Sequence, residues 1–363
     1  MAVTPKDITT ILSQVSYPNQ KENIVQMDMV QEIRIAGNRI SFTLVFQRDN
    51  DPHMQTIGQA CGEAIEKELG EGYEIKITPK AMHRMETPTL PGVKNILAIS
   101  SGKGGVGKST VASNLAVALA KAGKSVGLID ADIFGPSIPK MFGCEDARPV
   151  ARLVDKRELI VPVEEYGVKL LSIGFFVNKD EATVWRGPMA SNALKQLIKE
   201  GDWGALDYLL IDLPPGTSDI HLSLVQTVAV TGAVIVTTPQ DVALADVIKG
   251  VKMFTSKSID VPVVGLVENM AWFTPEELPE NKYYIFGKDG GKNIASELKI
   301  PFLGEIPIVQ GIREGGDKGE PIAHNDGSPT SEAFQSVASK LIHQVELRNK
   351  FRPETTKVKT ERK

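Results

Sequence analysis

The stretch that most restricts this chain is Gly102-Lys103-Gly104-Gly105-Val106-Gly107-Lys108-Ser109, set between an aliphatic run at 96–99 and a helical stripe at Val111, Leu115, Ala118 and Leu119. It satisfies G-x-x-x-x-G-K-[ST] in the strand–loop–helix context that gives that pattern meaning. Glycines let a backbone close around a phosphate with its amide N–H groups turned inward, and the helix that follows adds its partial positive charge. Gly102, Lys103, Gly104, Gly105, Val106, Gly107, Lys108, Ser109 and Thr110 are therefore the expected cradle for ATP. Lys108 is expected at the β- and γ-phosphates, with the Ser109 hydroxyl on Mg²⁺.

Such a loop needs a mostly parallel sheet flanked by helices. The later aliphatic runs at 126–129, 209–211, 234–236, 263–267 and 302–303 supply strands apolar enough to be covered on both faces. This places 95–349 in an α/β P-loop NTPase domain. The preceding segment, 1–81, has a different rhythm and reads as a small α+β domain. Ile8, Ile11, Leu12 and Val15 make a helical stripe, 24–35 looks extended, and 39–47 alternates as a strand does. A helix through Ile57, Cys61, Ile65 and Leu69 follows, then a strand at 73–78. Pro88, Pro91 and Gly92 mark 82–94 as the linker, and 350–363 reads as a polar, disordered tail.

Two carboxylate-bearing strand ends accompany the loop. Leu209-Leu210-Ile211-Asp212 is an aliphatic strand closing on an acid, and Asp212 is expected to hold Mg²⁺. The stiff turn Leu213-Pro214-Pro215-Gly216-Thr217 comes next, where a γ-phosphate can be sensed. Ile129-Asp130-Ala131-Asp132 ends another strand on the side where open α/β sheets bind ligands. Asp132 is the candidate to orient the attacking water and Asp130 to support the Mg²⁺ shell; an Asp-stabilised turn is the competing reading.

Composition narrows the partners. Among 363 residues the net charge is −4, which offers no bulk attraction to nucleic acid or anionic lipid. No apolar run reaches the roughly 18–20 residues that span a bilayer. Two cysteines make no disulfide framework. The expectation is a cytoplasmic protein that uses neither nucleic acid nor membrane. The histidines at 53, 83, 221, 324 and 343 show no metal-ligand spacing. Trp185, Trp272 and Phe273 read as core packing or as an interface.

Beyond the generic pattern, Lys103-Gly104-Gly105-Val106-Gly107-Lys108-Ser109-Thr110 resembles the deviant Walker A loop of the MinD/ParA-like ATPases, with its extra early lysine. The strings Ile133-Phe134-Gly135-Pro136-Ser137, Trp185-Arg186-Gly187-Pro188-Met189, Asp212-Leu213-Pro214-Pro215-Gly216-Thr217 and Val267-Glu268-Asn269-Met270 are similar to the Mrp/ApbC branch, the iron–sulfur cluster carriers. The N-terminal segment resembles the PaaD-like domain often fused to them. This resemblance implies a homodimer with facing nucleotide sites, Lys103 reaching the partner's ATP as a catalytic residue, Asn269 contacting adenine, and apoprotein clients that receive a cluster.

The chain departs from that family where a Cys-x-x-Cys pair is usual. After Met270 it reads Ala271-Trp272-Phe273-Thr274-Pro275-Glu276-Glu277-Leu278, without cysteine. The resemblance implies an iron–sulfur cluster, yet the sequence identifies no ligands for one. Cys61 falls on an apolar helical stripe and reads as core. Cys144, on an expected loop near the nucleotide, supplies one thiol per subunit where a bridging cluster uses four. Two functions follow: an ATP-driven carrier or scaffold in cluster assembly, or a nucleotide-dependent dimerisation switch that binds a protein partner and carries no cluster.

Overall fold

Two units separate in the computed structural model, Met1–Thr87 and Pro88–Lys363. The described residues are 3–18, 22–48, 51–70, 72–83, 89–133, 135–154, 157–176, 187–275, 277–278 and 280–358.

In the first unit, α1 (Pro5–Leu12) starts at a capping box in which Thr4 and Asp7 satisfy each other's backbone amides. Strands β1 (Val30–Ala36) and β2 (Arg39–Arg48) form an antiparallel hairpin, α2 (Met54–Leu69) crosses over, and β3 (Glu74–His83) returns parallel to β2. The core of this unit is Ile8, Leu12, Ile40, Phe42, Leu44, Phe46, Ile57, Cys61 and Ile65. Two expectations shift. The extended stretch begins only at Val30, because 24–29 is closed by a Met29 N–H to Ile24 carbonyl bond and a left-handed Asp28. The last strand continues past Thr78 to His83, since β3 is an edge strand and tolerates Pro79 opposite Leu44.

The second unit is built on an eight-stranded sheet. In chain order its elements are β4 (Val93–Ser101), α3 (Lys108–Lys121), β5 (Val126–Asp130), α4 (Ile138–Met141), β6 (Ala151–Val154), β7 (Arg157–Ile160), β8 (Val163–Glu165) and β9 (Val168–Ser172). There follow α5 (Gly187–Glu200), β10 (Leu206–Asp212), α6 (Asp219–Thr227), β11 (Gly232–Thr237), α7 (Asp241–Phe254), β12 (Val263–Phe273), α8 (Gly290–Glu297), β13 (Phe302–Ile308), α9 (Gln310–Lys318) and α10 (Pro329–Phe351). The strand order is β13-β12-β11-β4-β10-β5-β9-β8, parallel except for β8; β6 and β7 form a separate hairpin.

Helices cover both faces, as the unbroken apolar strands require. On one face α3 and α10 bury Val111, Leu115, Leu119, Phe334, Val337 and Leu341. On the other, α5 through α8 bury Leu194, Ile198, Leu224, Val247, Val251 and Ile294. From β4 the chain first builds towards β5, and after β10 it crosses β4 to β11 on the other side. The carboxyl ends of β4 and β10 therefore bound a topological switch point, the place where open sheets of this kind bind ligands.

The tail also differs from expectation. Helix α10 runs to Phe351, and the Val358 amide donates to the Val225 carbonyl at 2.9 Å, with its side chain against the α5–α8 core. Residues 359–363 lie outside the described residues.

Candidate nucleotide site

The glycine loop leaves β4 at Ser101 and enters α3 at Lys108, as its sequence demands. Gly105 and Gly107 take φ of +82° and +76°, a region costly for residues with a Cβ. Gly102 packs where any side chain would strike the Asp246 backbone. Val106 buries its side chain in the α3 face of the core.

Lys108 and Ser109, at the first turn of α3, converge on the end of β10. The Lys108 Nζ lies 2.7 Å from Asp212 Oδ1, with the lysine 6% and the aspartate 0% exposed. The Ser109 hydroxyl donates to Asp212 Oδ2 at 2.6 Å. A hydroxyl and a carboxylate in contact at a strand end, beside a lysine, fit a magnesium ion carried by a polyphosphate: all donors are hard oxygens. Among the described residues no cluster of three His, Cys, Asp or Glu forms a metal cage; a phosphate-borne Mg²⁺ needs none, because phosphate and water complete its shell.

Asp130, expected to support the Mg²⁺ shell, lies beside this pair with both of its oxygens accepting hydrogen bonds. It is register-paired with Asp212 across β5 and β10 and is fully buried. Its Oδ1 accepts the Asp132 N–H at 3.2 Å, while its Oδ2 accepts the Ile138 N–H at 3.2 Å and the Ser172 hydroxyl at 3.0 Å. Burial first, and the Asp212 charge second, push its carboxyl up to about 7. Asp130 thus braces the turn that carries Asp132. Asp132 is half-buried at the start of that turn, where its carbonyl accepts the Gly135 N–H.

Lys103 is half-buried in the loop, and among the described residues no ion pair involves it. Its carbonyl accepts the Ser101 hydroxyl at 2.9 Å. Thr110 gives its carbonyl to the Asn114 side chain. Asn269, on β12, is buried against the loop itself, and its amide donates to the Val106 carbonyl at 2.8 Å.

The turn after Asp212 is tied to β4 by two amides, Leu213 to the Ile99 carbonyl and Gly216 to the Ser101 carbonyl, both at 3.0 Å. A third tie was not legible in the sequence. His221, 1% exposed on α6, accepts the Ser218 N–H on Nδ1 at 3.2 Å and meets the Ser100 hydroxyl through Nε2 at 3.3 Å. Read alone, it is one scattered histidine; its spacing from Ser218 at a helix start is the signal that would have marked it. Burial holds its imidazole down at about 4, below the usual 6.5. Above pH ~6.5 the neutral ring carries no penalty. As pH falls towards 4 the unfolded chain takes up a proton that the folded chain refuses, so stability drops by on the order of 3 kcal/mol. Asp130 and Glu268, raised to about 7 and about 6, have the opposite sign and gain stability on acidification. The contrast with a variant isolates the histidine: between pH 7 and pH 4.5, His221→Gln should lose less stability in denaturant melts than wild type. Parallel profiles would remove the assignment.

The cysteines are poor ligands. Cys61 is fully buried with its thiol pushed up to about 12. Cys144, expected on a loop near the nucleotide, is 7% exposed, lies 3.6 Å from the Pro139 carbonyl, and burial pushes its thiol up to about 11. In the segment where the resemblance would put a cysteine pair, Phe273 and Tyr283 bridge antiparallel, and Lys282 stacks over the Trp272 ring at 3.8 Å. Leu278, Tyr283, Tyr284 and Ile285 are exposed there. Phe134, Trp185, Arg186 and Glu276 lie outside the described residues. Among the described residues no helix is long and apolar enough to cross a membrane.

With this geometry in place, the comparisons with known proteins fall into line. Residues 92–342 match the family described as NUBPL iron-transfer P-loop NTPase, and residues 5–77 match the iron–sulfur cluster assembly protein family. An iron–sulfur cluster carrier protein of Synechocystis sp. is 42% identical over 95% of this chain and 99% of its own length. The iron–sulfur cluster transfer protein NUBPL of Dictyostelium discoideum is 47% identical over 76% of this chain and 85% of its own. A solved nucleotide-binding protein from Archaeoglobus fulgidus, in complex with ADP, superposes with a TM-score of 0.57 at 38% identity, covering 67% of this chain and 92% of that one. A glycine loop at a switch point, its lysine and serine gathered on a strand-end aspartate, and these matches make the chain a member of the NUBPL-type iron-transfer P-loop NTPase family.

Proposed function

We propose that the chain is an ATP-hydrolysing homodimer that works in cytoplasmic iron–sulfur cluster assembly and acts on apoprotein clients. The observation that carries the nucleotide reading is the meeting of Lys108, Ser109 and Asp212 at the β4–β10 switch point. Lys108 neutralises the β- and γ-phosphates, and the backbone amides of 102–110 enclose them. Ser109 and Asp212 would hold magnesium, which would supply charge to offset that on the transferred phosphoryl group. Asp132 orients the attacking water, in a turn braced by Asp130. Lys103 reaches the partner subunit's nucleotide and meets charge developing on its phosphates.

A bridging cluster on four thiolates does not fit this chain. Both cysteines are buried with raised thiol pKa values, and a thiolate is what iron needs. That observation favours the second reading of the same site, a nucleotide-dependent dimerisation switch that engages a protein partner without itself carrying a cluster. Anaerobic purification and reconstitution with iron and sulfide tests the point. The expected result is magnesium-dependent ATP hydrolysis without stoichiometric iron, sulfide or a cluster chromophore. A stable chromophore abolished by Cys144→Ser would return the chain to direct carriage.

A further inference from the structure

Asn269 sits in the second half of β12, with Thr237 of β11 opposite its neighbour Glu268 and Ile306 of β13 opposite itself. Glu268 points to the other face, is fully buried, and accepts the Gly291 amide at the start of α8. The strand is therefore held by β11 up to Glu268 and by β13 at Asn269, and the Asn269 side chain is buried against the glycine loop. One of its N–H groups donates to the carbonyl of Val106, 2.8 Å away, inside the glycine loop.

The consequence lies in the peptide group. In a trans peptide the C=O and the next N–H point in opposite directions, so holding one carbonyl outward aims the following amide the other way. Val106 is pinned twice, by its buried side chain and by this hydrogen bond. The Gly107 N–H is then turned to the opposite side, into the concavity of the loop. Gly107 completes the arrangement with its left-handed φ of +76°, and a side chain there would collide with the Asn269 amide.

We infer that Asn269 is a positioning residue for phosphate: by holding the Val106 carbonyl it orients the Gly107 amide that a polyphosphate would accept from. This rests on the nucleotide reading above and deepens it, because it gives Asn269 work at the phosphates that does not depend on a base. The two assignments make different demands on the ligand. A base contact matters for ATP and is irrelevant to a ligand without a base. A loop-orienting contact matters equally for both.

The test is calorimetric titration of the full chain with ATP and with inorganic tripolyphosphate, each with magnesium, for wild type and Asn269→Ala. Both ligands are expected to weaken by the same factor, roughly tenfold, as when one buried hydrogen-bond partner is removed. Preference for ATP over GTP should stay at its wild-type ratio. Loss of ATP affinity with tripolyphosphate unchanged overturns the inference, as does unchanged binding of both. Asn269→Leu, similar in volume and unable to donate, gives the same reading if the alanine variant does not fold. Wild-type protein that binds neither ligand defeats the nucleotide reading itself, an outcome distinct from the two that defeat only the role of Asn269.

Discussion

Lys108→Ala is expected to abolish ATP binding and, separately, to weaken the fold. The first effect follows from removing the cation at the β- and γ-phosphates, where charge-assisted bonds act in a partly dehydrated loop. The second is specific to the tertiary structure. Asp212 is fully buried, and Lys108 is its ion-pair partner at 2.7 Å. Stripping one member from a buried pair strands the other, at about 3–5 kcal/mol. The two effects can be separated with a second substitution. Lys108→Ala combined with Asp212→Asn removes the stranded charge while Ser109 keeps a hydrogen-bond partner, so stability should recover; ATP binding stays lost, because this variant lacks both the phosphate cation and the carboxylate proposed for magnesium. Denaturant melts and calorimetry on the three variants check this. Retention of ATP affinity within about tenfold by the single variant would exclude Lys108 from the phosphate site; recovery of binding in the double variant would mean the loss came from the stranded charge instead.

Lys103→Ala is expected to leave ATP affinity near wild type and to cut the hydrolysis rate by about 10³-fold or more, the range seen when a cation meeting the transition state is withdrawn. Lys103 differs from Lys108 in its surroundings. It is half-buried, carries no ion pair among the described residues, and contributes only a backbone carbonyl to its own loop. Its charge is not engaged by an ion pair among the described residues, as a role at a phosphate requires. Because the proposed target belongs to the second subunit, the rate per site should rise with protein concentration in wild type and stay flat in the variant. Equal hydrolysis by the two proteins would remove the cross-subunit role, and a parallel loss of affinity would place Lys103 in its own phosphate cradle.

Local patterns were read well where one segment carries the whole signal. The glycine loop, the aliphatic strands and the acid closing β10 are stretches whose residue types leave few alternatives. The readings that moved depended on neighbours. Pro79 looked like an end of strand, and an edge position lets the strand run through it. The tail looked unstructured, and Val358 finds an apolar seat beside Val225. Asp130 and Asp132 looked like a matched pair on one strand. Pairing with Asp212 in the sheet interior drew the first into the core and left the second in the turn.

By itself, then, the sequence determined that a polyphosphate loop would form in a helix-flanked parallel sheet, and that the thiolates of a bridging cluster would be missing. Backbone conformation and the absence of a residue type are properties of short segments. Only the tertiary structure decided which groups meet. Lys108 finds Asp212 across 104 residues, Asn269 finds Val106 across 163, and Ser100 finds His221 across 121. Those contacts depend on strand order and burial, which set distance and desolvation, and neither is written in the spacing of residues along a chain.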